Sequence, residues 1–170
     1  MNKTLFSVVL AGALLAHSAV TLAHGKGDEH SGTQSSDQGA HGESHSESYP
    51  FGHPGELSKV SGTIKVTALD IRFEPTRIAV KAGDTIKFDI ANTGVLEHEF
   101  LLADAAEQVE HEKEVQATPD MKMDHPNGVL IAPGKTATLI WTFTKPGTLQ
   151  YGCHVPGHFA AGMVGQLTVN

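Results

Sequence analysis

The residues best suited to chemistry crowd into one stretch near the C-terminus, Tyr151-Gly152-Cys153-His154-Val155-Pro156-Gly157-His158-Phe159-Ala160-Ala161-Gly162-Met163. It holds the single cysteine of the chain, a histidine five residues on and a methionine five beyond that. A thiolate, an imidazole and a thioether in one loop are soft donors. One further imidazole completes a His₂Cys trigonal set with a weak axial Met, an arrangement that copper accepts in both of its common oxidation states. The spare imidazole is expected from His98, in Glu97-His98-Glu99-Phe100. Taken singly, a lone Cys is a small buried hydrophobe and a lone Met is core filler. The combination and its spacing point to a metal, and Cys153 would bind as thiolate because a coordinating thiol is deprotonated outright.

These donors need a scaffold that brings distant segments together. Cys153 falls at the end of an extended run, Leu149-Gln150-Tyr151-Gly152, with His158 and Met163 on the loop that follows. His98 opens a separate short strand with Phe100, Leu101 and Leu102. From Val60 onward the pattern is one of strands. Thr63–Leu69 alternates with period two, Ile71 and Phe73 precede Pro75, and Ile78–Val80 and Thr85–Ile90 flank a turn at Gly83-Asp84. Thr136–Phe143 alternates again, and Val164–Val169 closes the chain. Residues 103 to 128 are polar and charged, with a helix-compatible part from Ala105 to Val115, and read as an insertion between strands. Several short strands without a βαβ rhythm predict an all-β, antiparallel Greek-key sandwich over residues 59–170.

With these residues in view, the chain resembles the cupredoxin (type 1 blue-copper) family. The ligand loop reads C-x4-H-x4-M, as in rusticyanin-like and some copper-tolerance cupredoxins, and the phrase Pro75-x-x-Ile78-x-Val80-Lys81-Ala82-Gly83-Asp84-Thr85-Ile86 resembles the family's second and third strands. A shorter C-x2-H register would place Pro156 at a ligand position and is rejected. The resemblance implies one type 1 copper held by His98, Cys153, His158 and Met163. It also implies an apolar docking patch around His158, here Val155, Pro156, Phe159 and Ala160. In many members an Asn follows the first His ligand, whereas this chain has Glu99. A backbone N–H at that position can still donate to the sulfur. His154 should point away from Cys153 by strand alternation. A multicopper oxidase is excluded, since Gly152 precedes the Cys and no two His are separated by one residue.

The termini set the context. Residues 1–23 read as a secretory signal, with Lys3, an apolar stretch from Leu5 to Ala16 and the small-residue site Thr21-Leu22-Ala23. The apolar run is shorter than the ~20 residues of a spanning helix, so the expected product is exported, without a stable membrane anchor, in a periplasm. Removing Lys3 takes the formal net charge from −7 to −8. Together with the absence of a basic stripe, this excludes nucleic acid as a partner. A single Cys excludes an intramolecular disulfide.

Residues 24–58 are rich in Gly, Ser, Glu and His, and read as a disordered tail that cannot bury enough apolar surface to offset its ordering entropy. His24, His30, His41, His45 and His53 lie in it. His-rich tracts bind metal loosely, and His24 would offer a new terminal amine beside its imidazole. Met121-Lys122-Met123-Asp124-His125 in the insertion is a second set of soft donors. The expected function is therefore a monomeric periplasmic copper protein cycling Cu(I)/Cu(II), not an enzyme. Its tail and insertion suggest copper handling or tolerance, with a redox or copper-handling protein as partner. A dedicated electron shuttle and a non-redox copper chaperone or storage protein are the alternatives.

Overall fold

The computed structural model describes residues 49–118 and 125–170. Alternation along the strands builds two five-stranded sheets. The first contains β1 (Gly52–Pro54), β2 (Gly62–Leu69), β3 (Arg72–Glu74), β5 (Thr85–Asn92) and β8 (Thr136–Phe143), in the order β1-β8-β5-β2-β3. The second contains β4 (Arg77–Val80), β6 (His98–Ala103), β7 (Gly128–Ile131), β9 (Gly147–Gly152) and β10 (Val164–Val169), in the order β4-β10-β9-β6-β7. Most neighbours are antiparallel, as expected, but β2 runs parallel to β5 and β4 parallel to β10.

The facing sides of the sheets fill one core. Phe88, Ile90, Leu139 and Trp141 from the first sheet are buried with Phe100, Leu102, Tyr151 and Leu167 from the second. Phe100 is its aromatic hub, with ring centroids 5.4 Å from Phe88, 5.8 Å from Phe73 and 5.2 Å from Tyr151. The Tyr151 hydroxyl donates to Pro75 O, and burial pushes its pKa up to about 12. Strand β6 is buried along its whole length, which explains why it lacks an alternating pattern.

The N-terminal boundary of the domain differs from the expected one. The tail was expected to run to residue 58, but residues 49–58 belong to the fold. Gly52, His53 and Pro54 pair with Phe143, Thr142 and Trp141. Phe51 is buried, and Tyr49 and Phe51 both pack on Trp141, with centroids 5.4 Å away in each case. Two aromatics in a polar run gain enough apolar burial to offset the ordering of a short edge strand. The rest of the expected tail, with His24, His30, His41 and His45, lies outside the described residues, as do Met121 and Met123.

The expected helix in the insertion is α1 (Ala105–Ala117). Asp104 caps it, accepting from Ala106 N–H at 2.8 Å and Glu107 N–H at 3.0 Å, while Glu107 reaches back to Asp104 N–H. This helix has no apolar stripe, and the residues it buries are Gln108 and His111. Among the described residues no helix is long and apolar enough to cross a membrane.

Candidate metal centre

Three of the four expected donors converge at one end of the sandwich. His98 opens β6, Cys153 follows β9, and His158 lies on the loop between β9 and β10. All three are buried, and one donor atom from each lies within 4.8 Å of the others. Cys153 Sγ is 3.8 Å from His98 Nδ1 and 3.4 Å from His158 Nδ1. The two imidazole rings sit 5.1 Å apart, centroid to centroid. Met163 is fully buried at the end of the same loop. Backbone bonds hold that loop in a closed turn, with Cys153 N–H donating to Met163 O and Met163 N–H to His158 O.

The chemistry of this trio fits copper. Burial pushes the Cys153 thiol up to about 11, opposed by backbone N–H donation from Glu99 and Val155. A buried thiol of that kind becomes a thiolate when a cation is beside it. Burial pulls the pKa of His98 down, with Asp70 opposing it. It does the same to His158, helped by His98. Both rings are therefore held in the neutral form that a metal needs.

Glu99 resolves the expected departure from the family pattern. Its backbone N–H donates to Cys153 Sγ at 3.3 Å, so the main chain alone supplies the sulfur with a donor. Its carboxylate is turned to the other side of the ligand strand, where it accepts His154 N–H at 3.2 Å and stands 3.5 Å from His111 Nε2. His154 is buried against α1 rather than beside the sulfur. Its Nδ1 meets Glu112 Oε2 at 2.7 Å and its Nε2 meets Gln108 Oε1 at 2.6 Å. Phe159 stacks on the His154 ring with centroids 4.5 Å apart, so only part of the expected apolar patch faces outward. His158 itself is only 6% exposed.

Gln108 was not singled out by its sequence context, yet it ties the site together. Its amide donates to Leu101 O on β6 at 3.0 Å and to Gln150 O on β9 at 3.2 Å, while its carbonyl oxygen meets His154. One side chain thus bridges the strand that starts with His98 and the strand that leads to Cys153. Gly152 makes room for it, since a Cβ there would lie 2.5 Å from Gln108 Oε1.

A second histidine group lies on the buried face of α1, where the His111 ring also meets the His154 ring edge to face at 4.7 Å. The rings of His111 and His125 meet edge to face at 4.7 Å, and both Nε2 atoms are buried without a hydrogen-bond partner. Glu107, Glu110 and Glu114 line the same cavity of about 190 Å³. Burial lowers the His111 pKa, but the Glu99 and Glu114 carboxylates outweigh it and the net shift is upward. Of the expected secondary donors, His125 and His53 fall among the described residues, and His125 has His111 as a neighbour. His53 is exposed on β1, its Nδ1 against Pro54 O.

A two-sheet sandwich carrying a buried Cys-His-His trio at one end defines a mononuclear copper-binding protein by its donor chemistry. Residues 60–170 match the sequence profile of the copper binding proteins, plastocyanin/azurin family, and the chain belongs to that family. It is 38% identical over 162 residues to the copper-resistant cuproprotein CopI of Rubrivivax gelatinosus, covering 95% of this chain and 97% of that protein. It is 43% identical over 148 residues to the copper-resistant cuproprotein CopI of Pseudomonas aeruginosa, covering 70% of this chain and 82% of that protein. Among solved structures, auracyanin B shares the fold with a TM-score of 0.58 at 23% identity, over 72% of this chain and 96% of that one.

Proposed function

We propose that this chain is an exported, periplasmic copper protein that exchanges single electrons at one type 1 site and serves copper handling or tolerance. The observation that carries the reading is the buried thiol flanked by two buried imidazoles at 3.4 and 3.8 Å. His98, Cys153 and His158 would hold the copper, with Met163 as a further, weak donor. Bound there, copper supplies one-electron exchange between its cuprous and cupric states. The protein's part is to hold the donors still. Burial excludes water, the Glu99 N–H stabilises negative charge on sulfur, and the bridge through Gln108 fixes the two ligand-bearing segments. The CopI relatives are named for copper resistance, and their coverage of this chain supports the tolerance role. A reversible one-electron response of the copper-loaded protein at an electrode is expected. A redox-silent copper complex would instead favour storage or delivery.

Additional copper outside the type 1 site is part of the same reading. The Nε2 atoms of His111 and His125, buried without a hydrogen bond beside a carboxylate-lined cavity, favour it, with Met121, Met123 and the tail residues His24, His30, His41 and His45 as further donors. Copper analysis of the mature chain against a shortened chain starting at Tyr49, which keeps β1, tests the tail's share. More than one copper on the full chain and fewer on the short one are expected. One copper on both, at neutral pH and excess metal, would favour the plain electron shuttle.

A further inference from the structure

His98 shows its two ring nitrogens to two different environments. Nδ1 faces Cys153 Sγ at 3.8 Å. Nε2, at the other end of a fully buried ring, has no hydrogen-bond partner, and the nearest carboxylate oxygen is Asp70 Oδ1 at 3.5 Å. That distance is just beyond an ordinary N–H···O bond, close enough for a charge to act on the ring.

Asp70 is not a wandering surface carboxylate, although its side chain is 40% exposed. It sits in the turn between β2 and β3. Its Oδ1 accepts Val95 N–H at 3.0 Å and Leu96 N–H at 3.3 Å, and its Oδ2 lies 3.3 Å from Val95 N. Two further features make room for it. Ile71 follows with φ at 67°, a left-handed conformation that a β-branched residue rarely adopts. Gly94 lies directly against it, since a Cβ there would fall 2.1 Å from Asp70 Oδ1. Bracing the loop before β6 accounts for the two amide bonds. It does not account for a carboxylate aimed at the unpartnered nitrogen of a buried ring.

We propose that Asp70 is a positioning residue for the metal ligand His98. Its carboxylate orients the ring, keeps the ring proton on Nε2 so that Nδ1 presents its lone pair toward Cys153, and favours the more highly charged state of the bound metal. This rests on the copper reading of His98. A metal-ligating His commonly donates its other N–H to a carboxylate, which fixes the tautomer and raises ligand basicity, and loss of such a partner changes metal affinity or activity about 10- to 100-fold. Partial exposure of Asp70 places the effect at the lower end of that range.

The test uses Asp70→Asn in the full chain. Asn keeps an oxygen for the Val95 and Leu96 amides and removes the charge. In the metal-free protein, ¹⁵N NMR of the His98 ring should show the Nε2–H tautomer in the wild type and a mixture in the variant. In the copper-loaded protein the Cu(II)/Cu(I) affinity ratio should fall about tenfold, equivalent to a rise in potential of about 59 mV. Gly94→Ala, whose added methyl displaces Asp70, should move the potential in the same direction. Unchanged tautomer and unchanged potential in Asp70→Asn would overturn the proposal and leave Asp70 as a loop brace. A shifted tautomer together with copper binding that survives His98→Ala would overturn the copper reading of His98 instead, so the two failures are distinguishable.

Discussion

Replacing Gln108 with Leu removes a side chain that links β6, β9 and the residue after Cys153. Leu101 O and Gln150 O each lose a donor, and His154 Nε2 loses its acceptor. Gln108, Leu101 and His154 are buried and Gln150 is half-buried, so water has little access to these partners. At roughly 1 kcal/mol for each buried polar group left without its partner, the loss is about 3 kcal/mol. The added apolar burial of Leu offsets about 1 kcal/mol of that. A net destabilisation of about 2 kcal/mol follows, which lowers the urea midpoint by about 1 M for a slope near 2 kcal/mol/M. The assay is equilibrium urea unfolding of the metal-free protein, read by fluorescence of Trp141 in the core. Glu110→Ala, on the exposed face of the same helix, is the control and should stay within about 0.5 kcal/mol of wild type. If Gln108→Leu unfolds at the wild-type midpoint, α1 does not brace the ligand strands.

Two further outcomes are expected. Met163→Leu should still bind copper, with a potential shifted upward because a lost donor and an apolar shell both disfavour the cupric ion; complete loss of copper would show that Met163 is not a weak axial ligand. The metal-free protein should lose stability in acid. Burial lowers the folded-state pKa of His98, His154 and His158, so the unfolded chain, with His near 6.5, takes up protons first as pH falls. His111, shifted upward, acts in the opposite sense, stabilising below about 6.5 and losing that contribution as pH rises through its folded value. Burial also raises the Glu107 pKa, which acts in the same sense as His111. Three groups against two predict a lower urea midpoint at pH 5.5 than at 7.5, and an equal or higher midpoint would contradict the balance.

The cluster of Cys153 and His158 was legible because its chemistry is local: the two lie within six residues, and no other part of the chain has a thiol. The sandwich was legible because alternation in β2, β5 and β8 follows from one buried face. What escaped has physical reasons. Helix α1 was expected as a helix, but its inward residues are polar, so no apolar stripe announced that it docks on the sheet. Gln108 has no motif, and its role exists only where β6 and β9 come side by side. Asp70 lies 28 residues before His98 and is joined to it through a turn and the gap left by Gly94. The aromatic pair Tyr49 and Phe51 was visible in the sequence, but the polar composition around it pointed to a tail. Trp141, across the sheet, supplies the surface that orders it.

The central claim is that one thiolate and two imidazoles hold a single copper at the end of the sandwich. Its most direct test is the optical spectrum of the Cu(II)-loaded chain beside that of Cys153→Ser. Intense visible absorption from thiolate-to-copper charge transfer is expected in the wild type, and its disappearance in a variant that keeps the wild-type fold. Persistent intense colour in Cys153→Ser, or none in the wild type, would contradict the assignment.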